Sequence, residues 1–132
     1  MKIVIDSSLS PRMARVLNAV LAPTHNVVHT NDVSGKNNAD AEICEYLRAN
    51  VPSLFIAQDL DTIGQPHRMA ALGEMKCHIV LLAPGWLNIR PDEHPWMLLK
   101  IIPRVLKRLE QGSGAILLQI TPGPQPHIRK LK

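Results

Sequence analysis

The sequence predicts an α/β domain in which helices cover both faces of a mainly parallel sheet. Short apolar runs alternate along the chain with segments of helical periodicity, which is typical of strand and helix units in turn. The run Leu54–Ala57 is apolar without alternation, as expected for a strand that is covered on both faces. The chain has only four aromatic residues, counting Trp, Tyr and Phe, so we expect an aliphatic core.

Length, charge and cysteine content set further bounds. With 132 residues and 45% apolar composition, we expect a single domain spanning 1–132. The net charge of +4 permits a polyanionic partner. Cys44 and Cys77 form no spaced framework, so reduced thiols and a cytoplasmic location are expected. No secretory signal follows Met1, and no apolar run approaches the ~18 residues of a membrane span, so we expect no membrane association.

The elements of the first half are predicted from local signals. Ser10 followed by Pro11 indicates a helix start, because the hydroxyl caps the first turn and proline fits the first helical position. Apolar residues then recur at helical spacing as far as Leu21. The expected order is a strand at 3–5, a helix at 11–21, a strand at 26–30, a polar connection at 31–38, a helix capped by Asn38 and the central strand at 54–57.

The second half ends in one long amphipathic helix and two strands. Pro95 is expected near the start of that helix, which runs from 96 to 110, and Gly112 follows its end. Its predicted buried stripe consists of Leu98, Ile102, Val105, Leu106 and Leu109, and its basic outer face consists of Lys100, Arg104, Lys107 and Arg108. The other expected elements are a weak helix at 69–72, strands at 78–83 and 115–120, and an edge strand at 127–132.

Acidic residues follow two predicted strands at the point where each ends. Asp6 follows the first strand, and Asp59 and Asp61 follow the central strand. Asp40 would lie in the first turn of a helix that starts at the same edge, where open α/β sheets bind ligands; complementing the helix dipole would explain Asp40 equally well. Close carboxylates repel unless a cation holds them. Four carboxylates predict a Mg²⁺ or Mn²⁺ site that catalyses phosphodiester cleavage.

These positions resemble the motifs of the PIN-like domains. Asp6-Ser7-Ser8 looks like the family's Asp-Thr/Ser-Ser/Asn opening, and Asp40 and Asp59-Leu60-Asp61 look like its later acidic positions. The segment from Arg68 through Trp96, with Pro103, resembles the VapC45-type branch. The resemblance implies a three-layer α/β/α domain and a Mg²⁺-dependent endoribonuclease. It also implies the toxin role of a type II toxin–antitoxin pair, with RNA and a cognate antitoxin as partners; a homodimer is a further candidate assembly.

Several polar residues are candidates for substrate contacts. They are Ser8, Arg12, Arg68 and Arg129. Ordinary solvation explains exposed arginines and the basic face of the last helix as well as RNA binding does, and a basic edge strand also protects against aggregation.

Two other functions are compatible with the sequence. A receiver-like signalling domain also gathers acids at a parallel-sheet edge, but serines follow Asp6 and Thr-Pro-Gly follows Ile120, where receivers have acids and a lysine. A catalytically silent PIN-like binding module is the other alternative. It is favoured by Gln58, where the family commonly has a hydroxyl residue, and by Thr62, where the related pattern has an aromatic one.

Overall fold

A six-stranded sheet forms the centre of the protein. The computed structural model describes residues 1–34, 40–59, 70, 73, 77–112 and 114–131. The strands are β1 (Lys2–Ile5), β2 (Asn26–His29), β3 (Ser53–Gln58), β4 (His78–Leu82), β5 (Leu117–Thr121) and β6 (His127–Lys130). The helices are α1 (Pro11–Leu21), α2 (Thr30–Ser34), α3 (Asp40–Ala49) and α4 (His94–Gln111), with a 3₁₀ segment at Pro84–Asn88.

The strand order is β2-β1-β3-β4-β5-β6. Strands β1 to β5 pair in parallel, and β6 pairs with β5 in the antiparallel sense. The predicted mainly parallel sheet is confirmed. Because parallel strands all end at the same side, the ends of β1 to β5 form one boundary of the sheet, here called the carboxyl edge.

Helices cover the sheet on both faces. On one face, Met13 of α1 and Leu98 of α4 belong to the same core cluster as Ile56. On the other face, Leu47 of α3 belongs to a second core cluster with Phe55. These are called the α4 face and the α3 face. The three-layer α/β/α architecture that the sequence predicted is therefore confirmed.

Local sequence signals correctly predicted the bounds of α1 and the buried side of α4, although α4 runs from 94 to 111 where 96–110 was predicted. The Ser10 hydroxyl oxygen accepts a hydrogen bond from the Arg12 N–H at 3.1 Å, and Pro11 is the first residue of α1. In α4, which contains Pro103, every member of the predicted stripe is buried, namely Leu98, Ile102, Val105, Leu106 and Leu109. No helix in the described ranges combines the length and apolar composition needed to cross a membrane.

The predicted polar connection at 31–38 is wrong in its first part, because Thr30–Ser34 forms α2. The ring nitrogen Nδ1 of His29 accepts a hydrogen bond from the Asn31 N–H at 3.1 Å. The Asp32 carboxylate reaches back to the His29 N–H at 3.2 Å. This reciprocal arrangement is a capping box with histidine in place of serine or threonine, which explains why the sequence pattern did not reveal it.

Of two other predicted elements, one has different bounds in the structure and the other falls largely outside the described residues. Strand β5 starts at Leu117 and ends at Thr121, where 115–120 was predicted. The Ile116 N–H donates to Nδ1 of His78 at 3.2 Å. This backbone donor, just before β5, therefore bonds to a side chain and not to the backbone of a neighbouring strand. The predicted weak helix at 69–72 lies largely outside the described residues.

The two thiols should differ in reactivity. Cys44 and Cys77 are unbridged, and burial, with a smaller effect of Cys44, raises the pKa of Cys77 to about 12. At pH 8 only roughly one Cys77 thiol in ten thousand would then be the reactive thiolate. In a thiol-reagent assay the Cys44→Ser variant should lose the faster phase, whereas Cys77→Ser should retain it. Rapid labelling of Cys77 in the folded Cys44→Ser protein would contradict this prediction.

Candidate functional site

Two carboxylates lie at the carboxyl edge on neighbouring strands. Asp6 directly follows β1, and its N–H donates to the Ile56 carbonyl at 2.9 Å. Asp59 directly follows β3, and its N–H donates to the Leu82 carbonyl at 2.8 Å. Side chains alternate along a strand, and Val4 and Ala57 belong to the α3-face core. The same alternation places Asp6 and Asp59 on the α3 face.

A serine holds the Asp6 carboxylate. Oxygen Oδ2 of Asp6 accepts hydrogen bonds from the Ser8 hydroxyl at 2.6 Å and from the Ser8 N–H at 3.1 Å. The Ser8 hydroxyl oxygen in turn accepts from the Gln58 N–H at 3.2 Å. Ser8 therefore connects Asp6 to the end of β3 and fixes the direction of one carboxylate oxygen. Ser8 was predicted as a substrate contact, and its bridge between Asp6 and β3 was not predicted.

Asp59 is 2% exposed, so its carboxylate depends on protein donors or on a counter-charge. The Gln119 side-chain amide donates to Oδ2 of Asp59 at 3.2 Å. Gln119 is itself buried on β5, two strands away from β3. Gln119 was not among the predicted site residues. The sequence feature that could have indicated it is that Gln119 is the single polar residue in the apolar run from Ile116 to Ile120.

Gln58 connects the ends of β3 and β4 by side-chain hydrogen bonds. Its side-chain nitrogen donates to the carbonyl oxygens of Asp59 at 3.2 Å, Leu82 at 2.9 Å and Ala83 at 3.2 Å. Its side-chain oxygen is buried and has no hydrogen-bond partner among the described residues. At the position where the family commonly has a hydroxyl residue, this chain thus has an amide that supports the backbone around Asp59.

The remaining predicted acids are less defined. Asp40 is the first residue of α3, and its side chain lies outside the description, as do Asp61 and Arg68 entirely. Of the four predicted carboxylates, the structure describes Asp6 and Asp59, which follow neighbouring strands on the same face of the sheet. Across the described residues, no group of three His, Cys, Asp or Glu side chains is positioned to hold a metal ion.

His29 adds a buried polar group at the end of β2. Its Nε2 lies 2.9 Å from the Leu9 carbonyl oxygen, which can only accept. Nitrogen Nδ1 already accepts from the Asn31 N–H. The ring is therefore the neutral Nε2–H tautomer with both nitrogens engaged, and His29 supports the fold rather than a metal.

The predicted arginines occupy different places. Arg129 of β6 pairs directly with Gln119, and directly opposite residues share a sheet face. Arg129 is exposed and thus lies on the α3 face beside the residue that binds Asp59. Arg12 is exposed in the first turn of α1; the hydrogen bond from Arg90 keeps the pKa of Asp92 below its ordinary value, and the charge of Arg12 adds to this effect.

A second carboxylate at position 119 should destabilise the protein in a pH-dependent way. In Gln119→Glu, repulsion from Asp59 would raise the pKa of the pair above its unfolded value. The resulting loss, about 1–3 kcal/mol in the free energy of unfolding, should be complete at pH 8 and should shrink as the pair takes up a proton on acidification. Urea unfolding with chelator present measures both values.

The matched control is Gln119→Met, which removes the donor without adding charge. Its loss of stability should be relieved less between pH 8 and pH 5 than that of Gln119→Glu, because no second charge is added. Equal pH dependence of the two variants would mean that position 119 does not face the Asp59 carboxylate.

Comparison with known families is consistent with this architecture. The family model described as "PIN like domain" matches residues 1–84, a span that includes β1 to β4 and the positions of all four predicted acids. No curated protein and no solved structure matched the chain. Domains of this family are commonly nucleases. The chain belongs to the family of PIN-like domains.

Proposed function

We propose that the protein is a metal-dependent endoribonuclease whose reaction centre is the carboxyl edge of the sheet. The observation that carries this proposal is the position of Asp6 and Asp59 directly after adjacent parallel strands, on one face of the sheet. Each carboxylate has its own donor, Ser8 for Asp6 and Gln119 for Asp59. Two oriented acids at the ligand-binding edge of a parallel sheet could hold a divalent ion that promotes phosphodiester cleavage.

The side chains present fit a hard divalent cation. Asp59 is buried, and a second carboxylate nearby adds repulsion that a cation would offset. Asp6 and Asp59, with Asp40 and Asp61, would hold Mg²⁺ or Mn²⁺, because all four offer carboxylate oxygens. When bound, such an ion lowers the pKa of water and neutralises charge on a phosphate.

The chain's own residues would orient the reactants. Ser8 keeps one Asp6 oxygen directed towards the backbone of its own turn, so the other oxygen is available for ligation. Gln119 orients the Asp59 carboxylate by donating to its Oδ2. Arg129 lies beside Gln119 on the same face, and its guanidinium could bind the phosphate next to the cleaved bond.

We further propose a VapC45-type toxin role with an antitoxin protein as its physiological inhibitor. The support is the resemblance of the segment from Arg68 through Trp96, together with Pro103 inside α4. Growth arrest on expression, relieved by the product of an adjacent gene, would support this role. Unimpaired growth with the soluble, folded protein present would count against it.

Replacing either central carboxylate should remove the proposed centre. Asp6→Asn and Asp59→Asn should each lower Mn²⁺ affinity and RNA cleavage by more than about a hundredfold, since loss of outer supporting residues alone costs 10- to 100-fold. Removing one repelling charge should leave the metal-free fold intact or slightly more stable. Calorimetric Mn²⁺ titration of chelator-treated protein and cleavage of a structured RNA are the two measurements.

Glu42→Gln is the matched control, because Glu42 is an exposed acid on α3 and its loss changes the net charge equally. Full activity in both aspartate variants would refute the centre. If the wild-type protein binds neither Mn²⁺ nor Mg²⁺, the silent binding module becomes the better account, and the amide at Gln58 is the feature that distinguishes it.

Arg129 and Lys130 offer a matched pair on one strand. Arg129 pairs with Gln119 on the α3 face, whereas Lys130 pairs with Leu118, which belongs to the α4-face core. Arg129→Gln should therefore weaken RNA binding and slow cleavage about three- to tenfold, and Lys130→Gln should change both less. Equal effects would show that the tail contributes charge without contacting a phosphate beside the centre.

A further inference from the structure

The two tryptophans have opposite environments. Trp86 is fully buried; its indole N–H donates to the Ile120 carbonyl at 2.8 Å, and its ring packs edge-on against His94 with centroids 5.5 Å apart. Trp96 is 62% exposed. In a chain with so few aromatic residues, an indole left in solvent contributes little to the core. Large exposed aromatic groups are typical of binding surfaces.

Trp96 begins a row of exposed cations along α4. This α4 stripe consists of Trp96, Lys100, Arg104, Lys107 and Arg108, all exposed. Trp96, Lys100, Arg104 and Lys107 follow one another at steps of three or four residues, and Arg108 lies four residues after Arg104. The stripe therefore occupies one side of the helix. The stripe extends about 17 Å from Trp96 to Lys107, at 1.5 Å per residue.

The charges of the α4 stripe are not neutralised locally. Within the described ranges, the one ion pair joins Arg90 and Asp92, and neither residue belongs to the stripe. Arg104 makes a long hydrogen bond to the Pro126 carbonyl, at 3.5 Å. The sole acid on α4 is Glu110, near its end. The surface therefore combines one stacking platform with a line of unpaired positive charge.

The Trp96 end of the stripe is the end closer to the acids. Helix α4 starts at His94, which lines a cleft of about 270 Å³ together with Ser8 and Gln58. Ser8 is the residue that holds Asp6. A strand lying along the stripe would thus reach the carboxyl edge next to Trp96.

We propose that the α4 stripe binds single-stranded RNA, with one base stacked on Trp96 and phosphates contacting Lys100, Arg104 and Lys107. This inference rests on the proposed function in that it assigns RNA as the substrate. Stacking on an exposed aromatic ring beside a cationic track recognises single strands without demanding a sequence. A polyanionic strand fits best, because the stripe offers positive charges at successive helical turns beside one aromatic platform.

The test separates stacking from charge. It uses Asp6→Asn protein with chelator present and a fluorescein-labelled 15-nucleotide oligo(A), so that binding is measured without cleavage or metal. Anisotropy titrations are recorded over a range of salt concentrations. Trp96→Leu should weaken binding about 5- to 100-fold with an unchanged salt slope. Lys100→Gln and Arg104→Gln should each make that slope shallower by about 0.7.

Val20→Ala and Arg15→Gln are the controls. Both residues are exposed on α1, away from the α4 stripe. The first variant removes apolar surface and the second removes one positive charge. Both should bind oligo(A) like the parent protein, apart from a small uniform charge effect. RNA should also protect Trp96 from acrylamide quenching, while the buried Trp86 is unaffected. Circular dichroism melting verifies that the variants are folded.

Unchanged affinity of Trp96→Leu, or quenching of Trp96 that RNA does not reduce, would overturn the proposal. The proposal would also be overturned if Val20→Ala weakened binding to oligo(A) as much as Trp96→Leu does. Because the assay needs no metal, a loss of cleavage in Asp6→Asn with RNA binding retained supports both proposals independently. An acidic polypeptide that competes with oligo(A) only when Trp96 is present would assign the stripe to a protein partner instead.

Discussion

Parallel pairing of β1 with β3 is the constraint on which the candidate site depends. Ile5 lies opposite Ile56, and this register places the residues that follow each strand at one edge. Side chains alternate with a period of two, so a slip of one residue would move Asp6 to the other face of the sheet. The buried clusters on both faces oppose such a slip, because Val4 and Ile5 would exchange clusters and both close-packed cores would have to repack. Core packing thereby determines where the acids meet.

The same edge carries an electrostatic cost that the fold must offset. Asp59 is nearly inaccessible to water, and a carboxylate in that position is stable only with donors or a counter-charge. Gln119, from the far side of β4, supplies one donor, while Gln58 holds the backbone of the same turn. These buried amides support the acids in positions that apolar side chains could otherwise fill. Such a loss of apolar packing is characteristic of sites where function limits stability.

The acids and the α4 stripe lie on different faces and meet at the carboxyl edge. Asp59 and Arg129 are on the α3 face, whereas α4 packs on the other. Ser8 and His94 line the cleft between the two regions. An RNA strand that followed the stripe would therefore cross the edge of the sheet at the place where Asp6 is held. This arrangement would separate substrate capture, which depends on salt and stacking, from the chemistry at the acids.

The sequence alone determined the features that depend on neighbouring residues. The start of α1 at Ser10 and Pro11, the buried side of α4 and the acids at the ends of two strands all follow from local patterns, because capping and periodicity act within a few residues. The contacts between residues far apart in the sequence became visible in the folded chain: Ser8 to Gln58 across 50 positions, and Gln119 to Asp59 across 60. Such pairs depend on strand order, which periodicity does not encode. The histidine cap of α2 and the antiparallel pairing of β6 likewise needed folded partners to become visible.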